Sequence, residues 1–319
     1  MRAPRAIVVA TVIAVGILAG TGTAPAAPRP YQWKPPAPPA TTAATQPGAA
    51  TVTPASVSPA TGAPETGPPV PTWAPAATAA IHPGVQTVTA GGQCTANFVF
   101  TDATDVYIGQ AAHCAGTGDS TDTDGCSSPS LPLGTPVAVE GASHPGVLAY
   151  SSWLTMQDRQ ETDPTVCAFN DLALVRLDPA DRADVNPSVP HWGGPVDLAP
   201  GDSPAGSLVY SSGNSKLRFG LPLLMPKLGF SLGDQGDGWS HQVLTLTPGI
   251  PGDSGSAVLD AQGGALGVLS TLEILPLPGV NGVGDLRHEL DYLHAQTSIT
   301  AQLAVGTEPF NGAQLPVGP

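Results

Sequence analysis

The sequence predicts an all-β protein closed by one C-terminal helix. Three observations lead there. The 319 residues include 38 glycines and 37 prolines, a composition that favours short strands and turns over long helices. From Ile81 onward, short apolar or alternating runs are separated by clusters of Gly, Asp, Ser and Pro. One late stretch, Asp285 to Gln296, carries Leu286, Leu290 and Leu293 at helical spacing.

The chain begins with Arg2 and Arg5, then an apolar run from Ala6 to Gly20, then Ala24-Pro25-Ala26. That order is the form of a secretory leader with a small-x-small cleavage site, so residues 1–26 are read as a signal peptide. The run is shorter than the ~20 residues of a membrane span. No later stretch is long and apolar enough to span, so no stable membrane span is expected after cleavage. Residues 27–80 contain no Leu, Ile or Phe and carry only Arg29, Lys34 and Glu65 as charges. Such a segment cannot bury enough apolar area to offset chain ordering, and a disordered Pro/Ala/Thr-rich linker is expected. The folded domain is expected over 81–300, with a C-terminal tail over 301–319.

Within the domain, Val85–Thr89 alternates as a half-buried strand. Cys94–Phe100 and Val106–Gln110 read as a hairpin across the polar turn Thr101–Asp105, which delivers His113 just past a strand end. Ala115–Pro132 reads as a surface loop holding Cys126. Val137–Glu140 and Val147–Tyr150 read as strands, and Asp171 opens a third, Leu172–Leu177. The signal from Pro179 to Ser240 is sparse apart from Ser207–Tyr210. Ala257–Leu259 and Ala265–Leu269 form a hairpin over Asp260–Gly264.

The formal charge is −14 with only 11 Lys plus Arg, which argues against a nucleic-acid partner. Four cysteines in an exported chain should be paired, and three connectivities are open. His288 and His294 lie six apart on the predicted helix, about 120° around its axis. They would not share a metal, and each is read as core or surface.

The chemistry concentrates in Pro251-Gly252-Asp253-Ser254-Gly255-Ser256. Gly252 can adopt backbone angles closed to other residues. The amides of Gly252 and Ser254 can then point at one spot beside the Ser254 hydroxyl, as acyl transfer requires for a developing oxyanion. A serine is a weak nucleophile without a base. Gln110-Ala111-Ala112-His113-Cys114 supplies a histidine, and Asn170-Asp171-Leu172-Ala173-Leu174 an acid to orient it.

These three segments, in the order His, Asp, Ser, resemble the signature segments of chymotrypsin-like serine proteases. The character is closest to bacterial secreted members such as streptogrisin. The resemblance implies two six-stranded antiparallel β-barrels with a C-terminal helix and a cleft between the barrels. It implies His113, Asp171 and Ser254 as the catalytic set, with the backbone N–H groups of Gly252 and Ser254 as oxyanion hole. Ser270, Thr271 and Leu272 become a strand edge on which a protein or peptide substrate lies as an added strand. The implied disulfides are Cys94–Cys114 and, with it, Cys126–Cys167. No cofactor and no metal are implied, and a monomer is expected. The implied function is a secreted or cell-envelope serine endopeptidase acting through an acyl-enzyme. The alternative is a catalytically silent homologue acting as an exported binding module. An α/β-hydrolase fits less well, because the fifth motif residue is Ser256 and the histidine comes first.

Asp253 should be buried and needs a cation. Ile81 follows Ala79-Ala80, so cleavage after a basic residue is not expected to release one, and a side chain is expected instead. Pro248, six residues before Ser254, stands where trypsin-like members carry an acid, so a preference for Arg or Lys substrates is not implied.

Overall fold

The computed structural model describes residues 72–118, 123–272 and 279–316. The leader over 1–26 and most of the linker lie outside the described residues. Among the described residues there are fourteen strands and three α-helices. The first set of strands is β1 Gln86–Thr89, β2 Gly92–Thr95, β3 Val99–Thr101, β4 Val106–Ala111, β5 Pro136–Val139, β6 Gly146–Ser151 and β7 Leu172–Arg176. Helices α1 Ser152–Arg159 and α2 Pro164–Phe169 lie between β6 and β7. The second set is β8 Leu208–Ser212, β9 Pro226–Gln235, β10 Ser240–Leu246, β11 Ala257–Leu259, β12 Ala265–Leu272 and β13 Val280–Asp285. Helix α3 Leu286–Gln296 and the short strand β14 Gln302–Leu303 follow.

The second set closes into a barrel in the order β10-β13-β12-β11-β8-β9. The first forms a sheet in the order β14-β3-β4-β7-β6-β5-β1-β2. The architecture is therefore the expected pair of β-units with a terminal helix, but the first unit has eight strands, not six. Two local causes raise the count. The Cys94–Phe100 run breaks into β2 and β3, and Gln302–Leu303 of the tail pairs with Thr101 and Phe100. The tail also bonds through Asn311 N–H to the Trp192 carbonyl at 2.8 Å. At the other end, Ala74 N–H bonds to Val185 O and Ile81 N–H to Asp184 O, while Trp73 packs on the core. The compositional boundary at residue 80 thus falls inside a packed stretch, because one tryptophan supplies apolar area that the surrounding Pro and Ala do not.

Two registers position the cleft residues. Ala111 of β4 faces Leu172 of β7. His113 is two residues past one strand and Asp171 one residue before the other, so they meet, and Ala112 N–H donates to Asp171 O at 2.7 Å. Ala257 of β11 faces Val268 of β12, and Gly255 N–H donates to Leu269 O at 2.7 Å, which sets Ser254 beside the start of Ser270–Leu272. The two units touch where Thr95 N–H donates to Ser254 O at 2.9 Å. Gly255 has φ +88°, and a Cβ there would lie 2.5 Å from Thr95 O and 2.9 Å from Ala111 N, so only glycine permits this approach.

Helix α3 buries Leu286, Leu290 and Leu293, the face its spacing predicts. Asp285 caps it by accepting His288 N–H at 2.9 Å. His288 Nδ1 also meets Asp285 at 2.7 Å, and His294 Nε2 bonds to Ala301 O at 2.8 Å, so both histidines serve the helix ends. The long β9–β10 hairpin and the helices α1 and α2 were not expected. On β9 the inward positions hold Lys227, Gly229 and Ser231 and the outward ones Phe230 and Leu232, which inverts the usual pattern. For α2 a signal existed: Asp163 caps it by accepting Thr165 N–H at 2.8 Å, with Pro164 at the first helical position.

His241 on β10 is fully buried between two acids. Its Nδ1 lies 2.8 Å from Asp234 Oδ1 and its Nε2 3.0 Å from Asp285 Oδ2. Burial alone would lower its pKa, but the bonds to Asp285 and Asp234 outweigh that and raise it above the ordinary 6.5. A group with a raised folded pKa stabilises below its unfolded pKa and loses that contribution as pH rises through the folded value. The urea midpoint should therefore fall as pH climbs above 6.5. His241→Asn should flatten that slope, and an unchanged slope in the variant would exclude His241 as its source.

Candidate active site

His113 lies on the 3-10 turn Ala112–Ala115 that follows β4. Its backbone N–H donates to Asp171 Oδ1 at 2.9 Å, and its Nδ1 pairs with Asp171 Oδ2 at 2.7 Å. An Nδ1–H engaged by a carboxylate leaves the lone pair on Nε2. Burial pushes the His113 pKa down, but the charge of Asp171 and its hydrogen bond prevail and hold it above 6.5. Asp171 is 3% exposed and takes a third bond, from Ser270 Oγ at 2.5 Å. Ser270 thus belongs to the acid as well as to the strand edge, a role its position in the sequence does not announce. The Trp153 ring, 6.4 Å from the imidazole, forms a neighbouring wall. The disulfides are Cys94–Cys114 and Cys126–Cys167, as the resemblance implies. The first ties β2 to the turn that carries His113, and closing its loop contributes about 3 kcal/mol in the chain-entropy account.

His113, Asp171 and Ser254 line one cleft of about 810 Å³ at the seam of the two units. The acid and the imidazole are hydrogen-bonded. Ser254 Oγ makes no hydrogen bond among the described residues, to the ring or to any other group. The structure brings all three into one groove and joins two of them.

The backbone around Ser254 is pinned through its carbonyls. Ser215 Oγ donates to Pro251 O at 2.6 Å. Thr95 Oγ1 and Gln93 Nε2 donate to Gly252 O at 2.7 and 3.0 Å. Ser256 donates to Asp253 O through N–H at 3.0 Å and through Oγ at 2.5 Å. A planar trans peptide points its N–H opposite its C=O. Holding the Pro251 and Asp253 carbonyls therefore aims the N–H groups of Gly252 and Ser254 the other way. Neither of these two groups donates to a protein acceptor among the described residues. Gly252 has φ +95°, and a Cβ there would lie 2.5 Å from Gln93 Oε1, so the turn needs glycine.

Asp253 is fully buried, as expected, and its cations are now identified. The Arg218 guanidinium engages it through Nε and Nη2, and Lys227 Nζ lies 3.0 Å from Oδ2. Ser215 N–H and Ile250 N–H add bonds at 3.0 and 3.1 Å. Burial would raise the Asp253 pKa, but Arg218 and Lys227 hold it below the ordinary range. Lys227 is pulled down to about 8 by burial and by the charge of Arg218, against the pull of Asp253. Both cations come from the stretch where sequence patterning is sparse. The scarcity of Lys and Arg was the available clue: after Ile81 the chain holds only Arg159, Arg176, Arg182, Lys216, Arg218, Lys227 and Arg287.

The edge Ser270–Leu272 lines the cleft. Its far side pairs with β13, Thr271 facing Gly282 and Leu272 facing Asn281. At the floor, Asn281 is fully buried. Its Oδ1 accepts Gly249 N–H at 2.8 Å, and its Nδ2 donates to Gly249 O at 3.3 Å and Thr271 O at 3.1 Å. The side chain ties the two cleft walls, 249–252 and 269–272, together. Sequence reading did not single it out.

Fold and cleft define an antiparallel β protein of two units with a Ser, His and Asp groove at their seam. No family model and no curated protein matches the chain. Solved structures similar to it include Thermobifida fusca Protease A, at 18% identity and TM-score 0.46, over 72% of this chain and 100% of that one. The Nocardiopsis protease NAPase shows 18% identity and TM-score 0.44, over 70% and 98%. Cellulomonas bogoriensis chymotrypsin shows 18% and 0.42, over 70% and 98%. Likenesses this distant add no weight to the chemistry.

Proposed function

We propose that the protein is an exported serine endopeptidase. Ser254 Oγ attacks a peptide carbonyl while His113 Nε2 takes its proton, then passes it to the leaving amine. Asp171 holds the imidazole tautomer and balances the imidazolium. The amides of Gly252 and Ser254 receive the oxyanion, and the acyl-Ser254 ester is hydrolysed by a water that His113 deprotonates. The observation that carries this reading is the hydrogen-bonded His113–Asp171 couple in the same groove as a free Ser254 hydroxyl and two unengaged amides. The leader over 1–26 and the two disulfides support export. The part of the linker that precedes Trp73 is proposed as a spacer. The test is reaction with a fluorophosphonate followed by peptide mass mapping. Modification at Ser254 and digestion of a peptide library are expected; an unmodified Ser254 with no turnover would leave the silent binding module.

A neutral His113 is the working base, so activity should be lost as pH falls through its raised pKa. The acid limb of kcat/KM should lie above 6.5, and a midpoint below that value would contradict the Asp171 pairing.

Asn281 lines the cleft and bonds to both Gly249 and Thr271, so a substrate side chain entering between those walls meets its amide. A short substrate side chain is expected there, so peptides with Ala before the scissile bond should exceed those with Phe by at least about tenfold in kcat/KM. Asn281→Gly should narrow that ratio. A wild-type preference for Phe would remove Asn281 as the determinant.

A further inference from the structure

Glu289 on α3 is completely buried and does not line the cleft. Its Oε1 accepts the backbone N–H of Asp171 at 2.9 Å. Its Oε2 has no partner among the described residues, and none of the ion pairs among them includes it. The charged and titratable groups facing it are Asp171 from the start of β7, Asp285 from the end of β13 and Tyr150 from β6. Every one of these is acidic. Burial, and then the charges of Asp171 and Asp285, push the carboxyl well above the usual range, against the single bond from the Asp171 amide.

A neutral carboxyl is an acceptor at one oxygen and a donor at the other. With Oε1 receiving the Asp171 N–H, the proton sits on Oε2. The buried polar atoms of Asn170, which precedes Asp171, and Tyr150 Oη also lack partners among the described residues. No cation among the described residues pairs with Oε2.

Asp171 is gripped from two sides. His113 N–H, His113 Nδ1 and Ser270 Oγ reach its carboxylate, and Ala112 N–H reaches its carbonyl. Glu289 alone reaches its amide, from the C-terminal helix. Without that acceptor the buried N–H is orphaned and the peptide joining Asn170 to Asp171 is free to turn. The carboxylate then loses its alignment to both His113 donors.

We propose that Glu289 is a positioning residue for Asp171, clamping its amide so that the carboxylate addresses His113 N–H and Nδ1 together. This rests on the reading of His113, Asp171 and Ser254 as the catalytic set. Glu289→Gln keeps a neutral acceptor of the same shape, whereas Glu289→Leu keeps volume without an acceptor. The Gln variant should retain kcat within about threefold and the wild-type acid limb. The Leu variant should lose about 100-fold in kcat, with KM within twofold and an acid limb displaced toward lower pH. In a Ser254→Ala background, the low-field proton resonance of His113 Nδ1 should persist in the Gln variant and be lost or shifted in the Leu variant. Equal kcat and equal resonances in all three would overturn the proposal, as would a Gln variant as damaged as the Leu one. If the Leu variant does not fold, the Gln variant decides alone by its kcat and acid limb. Resonances that follow this pattern in a protein without turnover would overturn the catalytic reading and keep the clamp.

Discussion

Ser254→Ala is expected to lower kcat by about 10⁶-fold and to abolish fluorophosphonate labelling. The attacking atom is removed, and nothing else in the groove can form the acyl bond. The residual rate should still exceed the uncatalysed one by about 10³–10⁴, because the amides of Gly252 and Ser254 remain in place. Folding should be untouched. Ser254 Oγ makes no hydrogen bond among the described residues, so its loss orphans no partner, and the thermal midpoint should move by no more than about 2 °C. The pairing of lost turnover with an intact midpoint is the diagnostic result. Measured kcat within tenfold of wild type would show that Ser254 is not the nucleophile.

Asp253→Asn should have the largest effect on stability. The carboxylate sits between Arg218 and Lys227, with all three side chains 3% exposed or less. An amide in its place leaves two buried cations facing each other without a counter-charge. Breaking a buried pair in this way costs about 3–5 kcal/mol. For a domain of this size that lowers the thermal midpoint by about 6–20 °C. Lys227→Met should cost less, because Arg218 still meets both oxygens of Asp253 through Nε. In Asp253→Asn the pull of Asp253 on Lys227 is gone, so Lys227 gives up its proton below pH 8, and the loss should be smaller at pH 8 than at pH 6. Activity should fall with stability in Asp253→Asn, since Ser215 N–H and Ile250 N–H lose an anionic acceptor beside the Gly252 turn. Scanning calorimetry across pH 6–10 reads all of this. A midpoint within 2 °C of wild type would mean that the cluster contributes no net stability.

How much of this was legible depends on the range of the interaction. The strand ending before His113 and the strand opening after Asp171 follow from short apolar runs bounded by turn residues, and their pairing brings the two residues together. Helix α3 follows from the spacing of Leu286, Leu290 and Leu293. The β9–β10 hairpin was not legible, because Lys227, Gly229 and Ser231 point inward, where alternation predicts apolar side chains. The inward Lys227 has its cause in Asp253, a residue remote in sequence that needs a buried cation. The compositional reading of residues 27–80 likewise missed the packing of Trp73, a single side chain whose worth depends on what it meets.

The order of residues by itself determined the strands that flank His113, Asp171 and Ser254, the terminal helix, the glycine-framed serine and the need for a base, an acid and a cation. Those are set by chemistry that each short segment carries within itself. Only the tertiary structure decided which cation answers Asp253, that Ser270 also serves Asp171, that Asn281 floors the groove and that Glu289 holds the acid from behind. Each of those roles is a contact between segments remote in sequence, and burial in a closed fold turns a polar side chain of no evident purpose into one that must be satisfied.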